Sequence, residues 1–431
     1  ADGRRDVAEA QMLGTAALDA PTRRVPFAEL VWLGLYWFAM SFHWGALITV
    51  VIPAEVLRFV PESQKGFYLG FLFAVGAVMA MVISPISGAL SDRSTLPMGR
   101  RRPFVVAGVL LNCLGLAAMR SAPTYAWYVG AVVVVQAATN FAGGAFNGLI
   151  PDRIPRSQRG FTSGVMGFMM MLGTITAALL AGDLVGRGRT PAVYVIDIGV
   201  FLVCTALMVW QVREDPPPAA SPFALSAFVR SFWIDPRRYP DFGWMFLTRG
   251  LVMLGFYTMV SFLQFFVKDT LHLTAREAAH TTGILSAITI ASGTGVALVA
   301  GWLSDRIGRK GIVSTAGVFL ALTSAGLLSQ PPYATLVGIA VLFGIGYGAF
   351  TSVDWALAID VLPARGSAAQ DLGIWAIANT LPQVLAPIIA GPLLDVFNRR
   401  TPNFGYTVVF AMAIVYVVLG SIFIWRIKGA R

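Results

Sequence analysis

Two ionisable side chains lie well inside long apolar stretches of this 431-residue sequence, Asp354 and Arg249. Charged groups are costly in such stretches and are usually functional. The Asp354 carboxylate can carry a proton or accept hydrogen bonds from solute hydroxyl groups, and the alternative is a structural ion pair with another helix. Arg249 either extends to the membrane surface or pairs with a carboxylate inside a cavity. Both are therefore candidates for proton coupling, and Asp354 is also a candidate for substrate binding.

Another pair of residues with suitable chemistry is His43 and Trp44. An imidazole titrates near neutral pH, and an indole ring can stack on the face of a sugar. The pair therefore predicts a substrate-binding element. The alternative for His43 is a hydrogen-bonded packing residue.

Carboxylates at the ends of the apolar stretches are harder to assign. Asp152 and Asp360 end two equivalent stretches, and each is followed three residues later by a proline. Each can carry a proton or pair with nearby arginines, and position alone favours the ion pair. Glu55 follows Pro53 and is interpreted as a loop residue. Four further carboxylates near stretch ends are interpreted as helix caps or rim residues: Asp183, Asp197, Asp371 and Asp395.

Amide side chains form two stripes. Gln136, Asn140 and Asn147 are four and seven residues apart, so they share one face of a helix. Amides suit sugar hydroxyls because they both donate and accept hydrogen bonds, although they also join helices to one another. Asn379 and Gln383 repeat the spacing. The stripes predict a polar substrate cavity.

Three residues extend the second stripe or add to it. Trp375 lies on the same helical face as Asn379, and Pro382 is expected to interrupt that helix and free backbone carbonyls. Gln264 is a weaker candidate on a separate stretch.

One charged motif occurs twice between apolar stretches. The first copy is Gly88-Ala-Leu-Ser-Asp-Arg93 with Gly99-Arg-Arg-Arg102, and the second is Gly301-Trp-Leu-Ser-Asp-Arg306 with Gly308-Arg-Lys310. A loop that only sets membrane topology needs basic residues but does not need this particular motif. The repeat of the motif therefore indicates a duplicated protein. We interpret each copy as a cytoplasmic latch that holds one conformation of a moving bundle. The latch residues are Asp92, Arg93, Arg100, Arg101, Asp305, Arg306 and Arg309.

Composition defines the class of protein. The chain is 56% hydrophobic and only 13% charged, whereas a soluble domain has about a quarter charged residues. The net charge of +10 lies in loops between apolar stretches, which favours membrane orientation over a nucleic-acid partner. The two cysteines lie in apolar stretches and predict no disulfide. No phosphate loop, metal-ligand spacing or nucleophile–base pair is visible, so neither an enzyme nor a cofactor is predicted.

The apolar stretches organise the chain into two halves. A span needs about 20 apolar residues, and twelve are predicted: 29–52, 66–90, 103–119, 125–150, 161–183, 193–211, 243–267, 279–303, 311–329, 334–361, 370–396 and 405–425. These give a tail (1–28), a six-helix bundle (29–211), a linker (212–242) with a short surface helix over 223–233, a second bundle (243–425) and a tail (426–431). Nine of the 32 Lys and Arg residues lie in outer segments when both termini are cytoplasmic. The predicted fold is an all-α membrane protein with two pseudo-symmetric bundles.

These motifs resemble a known family. The repeated Gly-x-Leu-Ser-Asp-Arg turn resembles the signature loop of the major facilitator superfamily. The segments Ser91–Phe104 and Gly373–Gln383 resemble the glycoside–pentoside–hexuronide/cation symporter branch, in particular its sucrose-transporter-like members and their bacterial relatives. The resemblance implies the major facilitator fold, a monomer, and sugar uptake coupled to H⁺, with Asp152 at the position of a proton-accepting carboxylate.

The sequence departs from that branch in three places. Asn147 stands where the group often has Arg, and Ala376 stands where it has Asn. The second span has no Asp or Glu, which argues against the melibiose-type sodium site.

Together the motifs predict a secondary transporter in the inner cell membrane. It moves a small polar solute, a mono- or disaccharide, by proton-coupled symport with alternating access. One alternative is a proton-driven exporter of lipophilic compounds, whose cavity would be mostly apolar. A second alternative is a non-transporting membrane binding or assembly protein that retains the fold.

Overall fold

A computed structural model describes residues 24–155, 158–212, 214, 239–360 and 368–428. Within these ranges, twelve helices are long and apolar enough to cross a membrane. Helix α1 has three consecutive segments, the α-helix Phe27–Ala46, the π-helical turn Leu47–Val51 and the α-helix Ile52–Phe59. The next five are α2 (Lys65–Ser91), α3 (Arg102–Arg120), α4 (Tyr125–Arg153), α5 (Arg159–Gly186) and α6 (Thr190–Gln211).

The second half has six more helices. Helix α7 has two segments, Pro240–Ser261 and Leu263–Thr270. The others are α8 (Ala275–Ile307), α9 (Arg309–Leu328), α10 (Tyr333–Asp360), α11 (Ala368–Arg400) and α12 (Phe404–Phe423). Most of the predicted linker, including the predicted surface helix over 223–233, lies outside the described residues.

The packing of the helices repeats between the two halves. In the first half α1 packs on α5 and α6, α4 packs on α2 and α3, and α3 also packs on α6. The same pairings recur six helices later, between α7 and both α11 and α12, between α10 and both α8 and α9, and between α9 and α12. The halves meet through α2 with α11 and through α5 with α8. This arrangement confirms two pseudo-symmetric six-helix bundles.

The two ends of the molecule carry different chain segments. We call the end that carries Arg24, Val212, Pro240 and Lys428 the near face, and the opposite end the far face. Lys428 donates its backbone N–H to Asp241 at 3.0 Å, which places the end of α12 beside the start of α7.

Two expectations about helix ends are wrong. Glu55 is not in a loop: α1 continues through Pro53 to Phe59, although Pro53 has no N–H to bond the carbonyl one turn earlier. Glu55 is buried there and accepts a hydrogen bond from Arg58 at 3.0 Å. Pro382 does not interrupt α11, which remains a single helix from Ala368 to Arg400. Proline is tolerated in membrane helices because neighbouring groups satisfy the freed carbonyls.

Candidate functional site

The second half contains a buried ion pair. Arg249 on α7 contacts the Asp354 carboxylate on α10 through Nη1 and Oδ2. The two residues are only 6% and 2% exposed, respectively. Arg249 therefore pairs inside the bundle, and the ion pair considered for Asp354 is formed.

Aromatic rings line the same pair of helices. Phe256 on α7 stacks on Tyr347 on α10, with ring centroids 4.0 Å apart. Phe343 lies against Phe256 at 5.3 Å between centroids. Phe256 comes seven residues after Arg249 and Tyr347 comes seven residues before Asp354, so the aromatic stack lies about two helical turns from the ion pair. The ion pair itself is buried, and an unpaired charge there would be costly.

The first half contains a second buried pair. His43 Nδ1 on α1 lies 2.7 Å from Asp197 Oδ2 on α6, and both side chains are 0% exposed. The interpretation of Asp197 as a cap or rim residue is wrong, because α6 begins at Thr190 and Asp197 lies two turns inside it. The His43 ring meets Trp44 edge-on at 4.7 Å and Phe201 at 5.1 Å between centroids. His43 therefore faces its own bundle, and only Trp44 beside it is partly exposed.

One turn beyond His43, α1 widens into the π-helical turn Leu47–Val51. The Gln264 amide, with its nitrogen toward α1, donates to the carbonyls of Thr49 and Val50 at 3.0 Å each. Gln264 is 2% exposed. Its amide joins the two halves instead of lining a cavity. The carbonyls need a donor because the π turn changes the helical pairing and because Pro53, four residues after Thr49, has no N–H.

The amide stripe on α4 is engaged mostly with itself. Asn140 donates to the Gln136 carbonyl at 2.8 Å and to the Gln136 side-chain oxygen at 3.3 Å. Gln136 in turn lies against the bare Cα of Gly76 on α2. Asn147 is exposed and Gln383 is half-buried. Two of the predicted sugar-binding amides therefore make helix contacts in this structure.

The side chains of Trp375, Asn379, Asp305 and Asp360 lie outside the described part of the chain, although their backbones are helical. Their predicted roles stay predictions.

The first copy of the charged motif forms an ion-pair network at the near face. Arg101 is 6% exposed; it contacts Asp92 and donates to Asp152 at 3.2 Å and to the Ser91 hydroxyl at 2.7 Å. Arg100 pairs with Asp152 at 2.5 Å. All of these groups belong to the first half. The network therefore braces α2, the following loop and α4 within one bundle, which differs from the expected latch that breaks as the halves separate.

The network also binds the beginning of the linker. Glu214 accepts the backbone N–H groups of Arg101 at 2.9 Å and Arg102 at 2.6 Å. Arg102 is the first residue of α3, so the carboxylate caps that helix where the helix dipole favours an anion.

The second copy of the motif is arranged differently. Arg306 stacks on the Trp302 ring, 3.9 Å from its centroid. Lys310 donates to the Ile427 carbonyl at 2.5 Å, which holds α9 against the end of α12.

At the far face the halves are joined by close backbone packing. Gly66 and Gly391 face each other on α2 and α11, and Gly283 on α8 faces Gly182 on α5. A Cβ added to Gly283 would lie 2.3 Å from the Ala178 carbonyl oxygen. Only residues without a side chain permit this approach.

Polar contacts reinforce the far face. Lys65 lies 2.5 Å from Asp269, which also accepts from the Tyr406 hydroxyl at 2.6 Å. Lys268 pairs with Glu62 across the halves. A recess of about 610 Å³ lies above these residues and is lined by both halves.

Asp395 on α11 makes a further contact between the halves. Its carboxylate accepts the backbone N–H groups of Gly66 at 3.0 Å and Phe67 at 2.7 Å. These are first-turn donors of α2, which have no partner within their own helix. Asp395 is thus a cap, as expected, but of a helix in the other half.

Comparison with known proteins decides the family. The model of the Major Facilitator Superfamily matches residues 34–370. The chain belongs to this superfamily. Two solved members share its fold. The nucleoside transporter NupG superposes with a TM-score of 0.70 at 15% identity, covering 93% of this chain and 98% of NupG. A bacterial homologue of the human lysosomal transporter Spinster, in an inward-facing and occupied conformation, gives 0.72 at 15% identity, covering 94% and 97%.

Two bacterial relatives are also similar over most of their length. The multidrug resistance protein MdtG of Klebsiella pneumoniae is 23% identical over 420 residues, 95% of each chain. The multi-drug resistance efflux pump PmrA of Streptococcus pneumoniae is 23% identical over 348 residues, 78% of this chain and 84% of PmrA. This superfamily member is a multi-pass membrane transporter of small molecules.

Sequence reasoning missed the residues that join helices. Asp197 and the π turn carry no periodic signal. The close contacts at the far face did have a periodic sequence signal. Gly66 and Gly70 are four residues apart, and so are Gly182 and Gly186. This spacing of small residues is typical of tightly packed membrane helices.

Replacing Arg101 with Ala tests the near-face brace. The change removes charge-assisted hydrogen bonds that contribute about 1.5–3 kcal/mol each when buried, so the thermal unfolding midpoint of the purified transporter should fall. The control is Arg120→Ala, which removes an exposed arginine at the other end of α3. Equal midpoints for the two variants would contradict the brace.

Proposed function

We propose that this transporter exports lipophilic compounds in exchange for protons, by alternating access between its two halves. The observation that carries the proposal is the state of the predicted sugar-binding amides. Gln136 and Asn140 are bonded to each other, and Gln264 is bonded to α1. A sugar site needs free donors and acceptors, whereas the aromatic stack between α7 and α10 suits an apolar solute.

The bacterial relatives support the same function, because MdtG and PmrA are described as multidrug resistance and efflux proteins. Proton-coupled sugar uptake is the second candidate. The exposed Asn147 and the resemblance of the loop after α2 to sugar symporters favour it.

We further propose an orientation and a cycle. The near face carries the basic loops, including Arg93, Arg100 and Arg101, and faces the cytoplasm of the inner membrane, with both termini on that side. The far-face contacts hold the protein closed toward the outside. The cycle proceeds when α2 parts from α11 and α5 parts from α8, so that the halves rock against each other. The transporter works as a monomer, with each half acting as a rigid body.

The two candidate functions differ in the direction of solute movement. Everted membrane vesicles containing the protein are energised so that their interior is acidic, and accumulation of a lipophilic cationic dye is measured. Right-side-out vesicles with an inward proton gradient are tested in parallel with a panel of labelled sugars.

Dye accumulation that collapses with the proton gradient supports export, and gradient-driven uptake of a sugar supports the second candidate. Folded protein that does neither would contradict both and favour a non-transporting membrane binding or assembly protein.

A further inference from the structure

We propose that His43 and Asp197 form the proton-binding site of the transporter and that the π turn after His43 links this site to the contact between the halves. The inference rests on the proton coupling proposed above. It places the proton in the first half, away from the Arg249–Asp354 pair in the second half.

The geometry of the pair suits a single exchangeable proton. One hydrogen bond of 2.7 Å joins His43 Nδ1 to Asp197 Oδ2, and both side chains are 0% exposed. The remaining polar atoms, His43 Nε2 and Asp197 Oδ1, are buried and have no hydrogen-bond partner among the described residues. Leaving a buried polar atom unpaired is energetically unfavourable. The pair is therefore poorly optimised as a purely structural contact.

Charge balance explains how the pair is coupled to conformation. With one proton shared between them, the imidazole and the carboxylate have zero net charge. Loss of that proton leaves an anion in an apolar site, which is strongly unfavourable unless water reaches it. The proton is therefore retained while the pair is sealed and leaves only when helix movement hydrates it.

The groups that face the pair do not supply a compensating charge. Cys113 on α3 and Tyr194 on α6 interact electrostatically with Asp197. Tyr36, two turns earlier on α1, shares the neighbour Phe201 with His43. Helix α5, which packs on α1, has no titratable residue between Arg159 and Asp183. None of these facing groups is basic, so the proton is the cation that balances Asp197.

The π turn provides the link to the other half. The N–H of Leu47, where the turn begins, bonds to the carbonyls of His43 and Trp44. Within the turn itself, the carbonyls of Thr49 and Val50 accept from Gln264 on α7. Single π turns inside α-helices frequently occur at functional sites. A shift of His43 on proton release would thus move the turn that holds the second half.

The first test separates proton coupling from transport itself. His43→Gln and Asp197→Asn are compared with the wild type and with Asp183→Asn, a matched carboxylate-to-amide change in an exposed pair with Arg187. Each protein is reconstituted in liposomes and assayed for dye transport driven by a proton gradient and for dye exchange without a gradient. We expect both site variants to lose the gradient-dependent stimulation and to keep exchange, while Asp183→Asn behaves as wild type.

Gradient-driven accumulation by both site variants at the wild-type level would overturn the inference. A wild type that transports dye without responding to the gradient would instead overturn the proposed proton coupling.

A second measurement applies even where the variants do not fold. The chain has 3 histidines, so a His272→Gln, His280→Gln background leaves His43 as the single imidazole. With ¹⁵N-labelled histidine, NMR reports its protonation and tautomer before and after addition of the dye at fixed pH. A change in the His43 ¹⁵N shifts is expected, and unchanged shifts with saturating dye would overturn the inference.

Discussion

Replacing Asp354 with Asn is expected to abolish transport and to destabilise the protein by about 3–5 kcal/mol. The reason is the buried partner: Arg249 keeps its charge in a buried site once the carboxylate is gone. The free energy of unfolding in detergent and dye transport in liposomes are measured for the same preparation.

The exposed pair Asp183–Arg187 gives the matched control, because both of its side chains are more than two-fifths exposed and exposed pairs contribute about 0–1 kcal/mol. Asp183→Asn should leave stability and transport near the wild type. The double variant Arg249→Met, Asp354→Leu should recover stability, since it leaves no buried charge, but not transport. Recovery of transport in that double variant would show that the ion pair is only structural.

Adding one methyl group at the far face is expected to have a comparably large effect on transport with little effect on folding. In Gly283→Ala the new Cβ would lie 2.3 Å from the Ala178 carbonyl oxygen and 3.0 Å from the Gly182 Cα, both backbone atoms of α5. Overpacking of this kind costs about 1–3 kcal/mol. Because the cost applies only where the halves are in contact, the population closed at the far face should fall about 5- to 150-fold relative to the open one.

Spin labels are placed at positions 120 and 330, which are both exposed, lie at the far face and belong to different halves. The distance between the two labels reports the separation of the halves. The distance distribution should lengthen in Gly283→Ala, and transport should decline in proportion. Gly295→Ala is the control on the same helix, because a Cβ there has nothing within 4 Å. An unchanged distance in Gly283→Ala would mean that α5 and α8 do not form the closing contact.

Much of the architecture was predictable from the sequence because the bilayer imposes it. Apolar length places the twelve helices, and the repeated charged motif indicates the duplication. The charge of Arg249 inside a span left two possibilities, extension to the membrane surface or pairing with a carboxylate, and the sequence did not decide between them.

The pairing of Asp197 was not predictable in the same way. The short distance of Asp197 from the end of an apolar stretch suggests a helix cap. Its actual partner depends on where α1 crosses α6, and helix packing sets that crossing. The π turn has no composition signal, because Leu47–Val51 reads as ordinary apolar helix. The role of Gln264 follows only once the freed carbonyls of that turn are known, so the amide was assigned to a solute instead.

Asp395 makes the integrity of a helix depend on the position of the opposite half. The backbone N–H groups of Gly66 and Phe67, in the first turn of α2, donate to the Asp395 carboxylate on α11 and not to a side chain of their own helix. When the far face opens, those two amides lose the carboxylate and turn to water, and the helix end is free to fray. In the proposed cycle, each opening at the far face therefore removes the cap of α2, and each closure restores it.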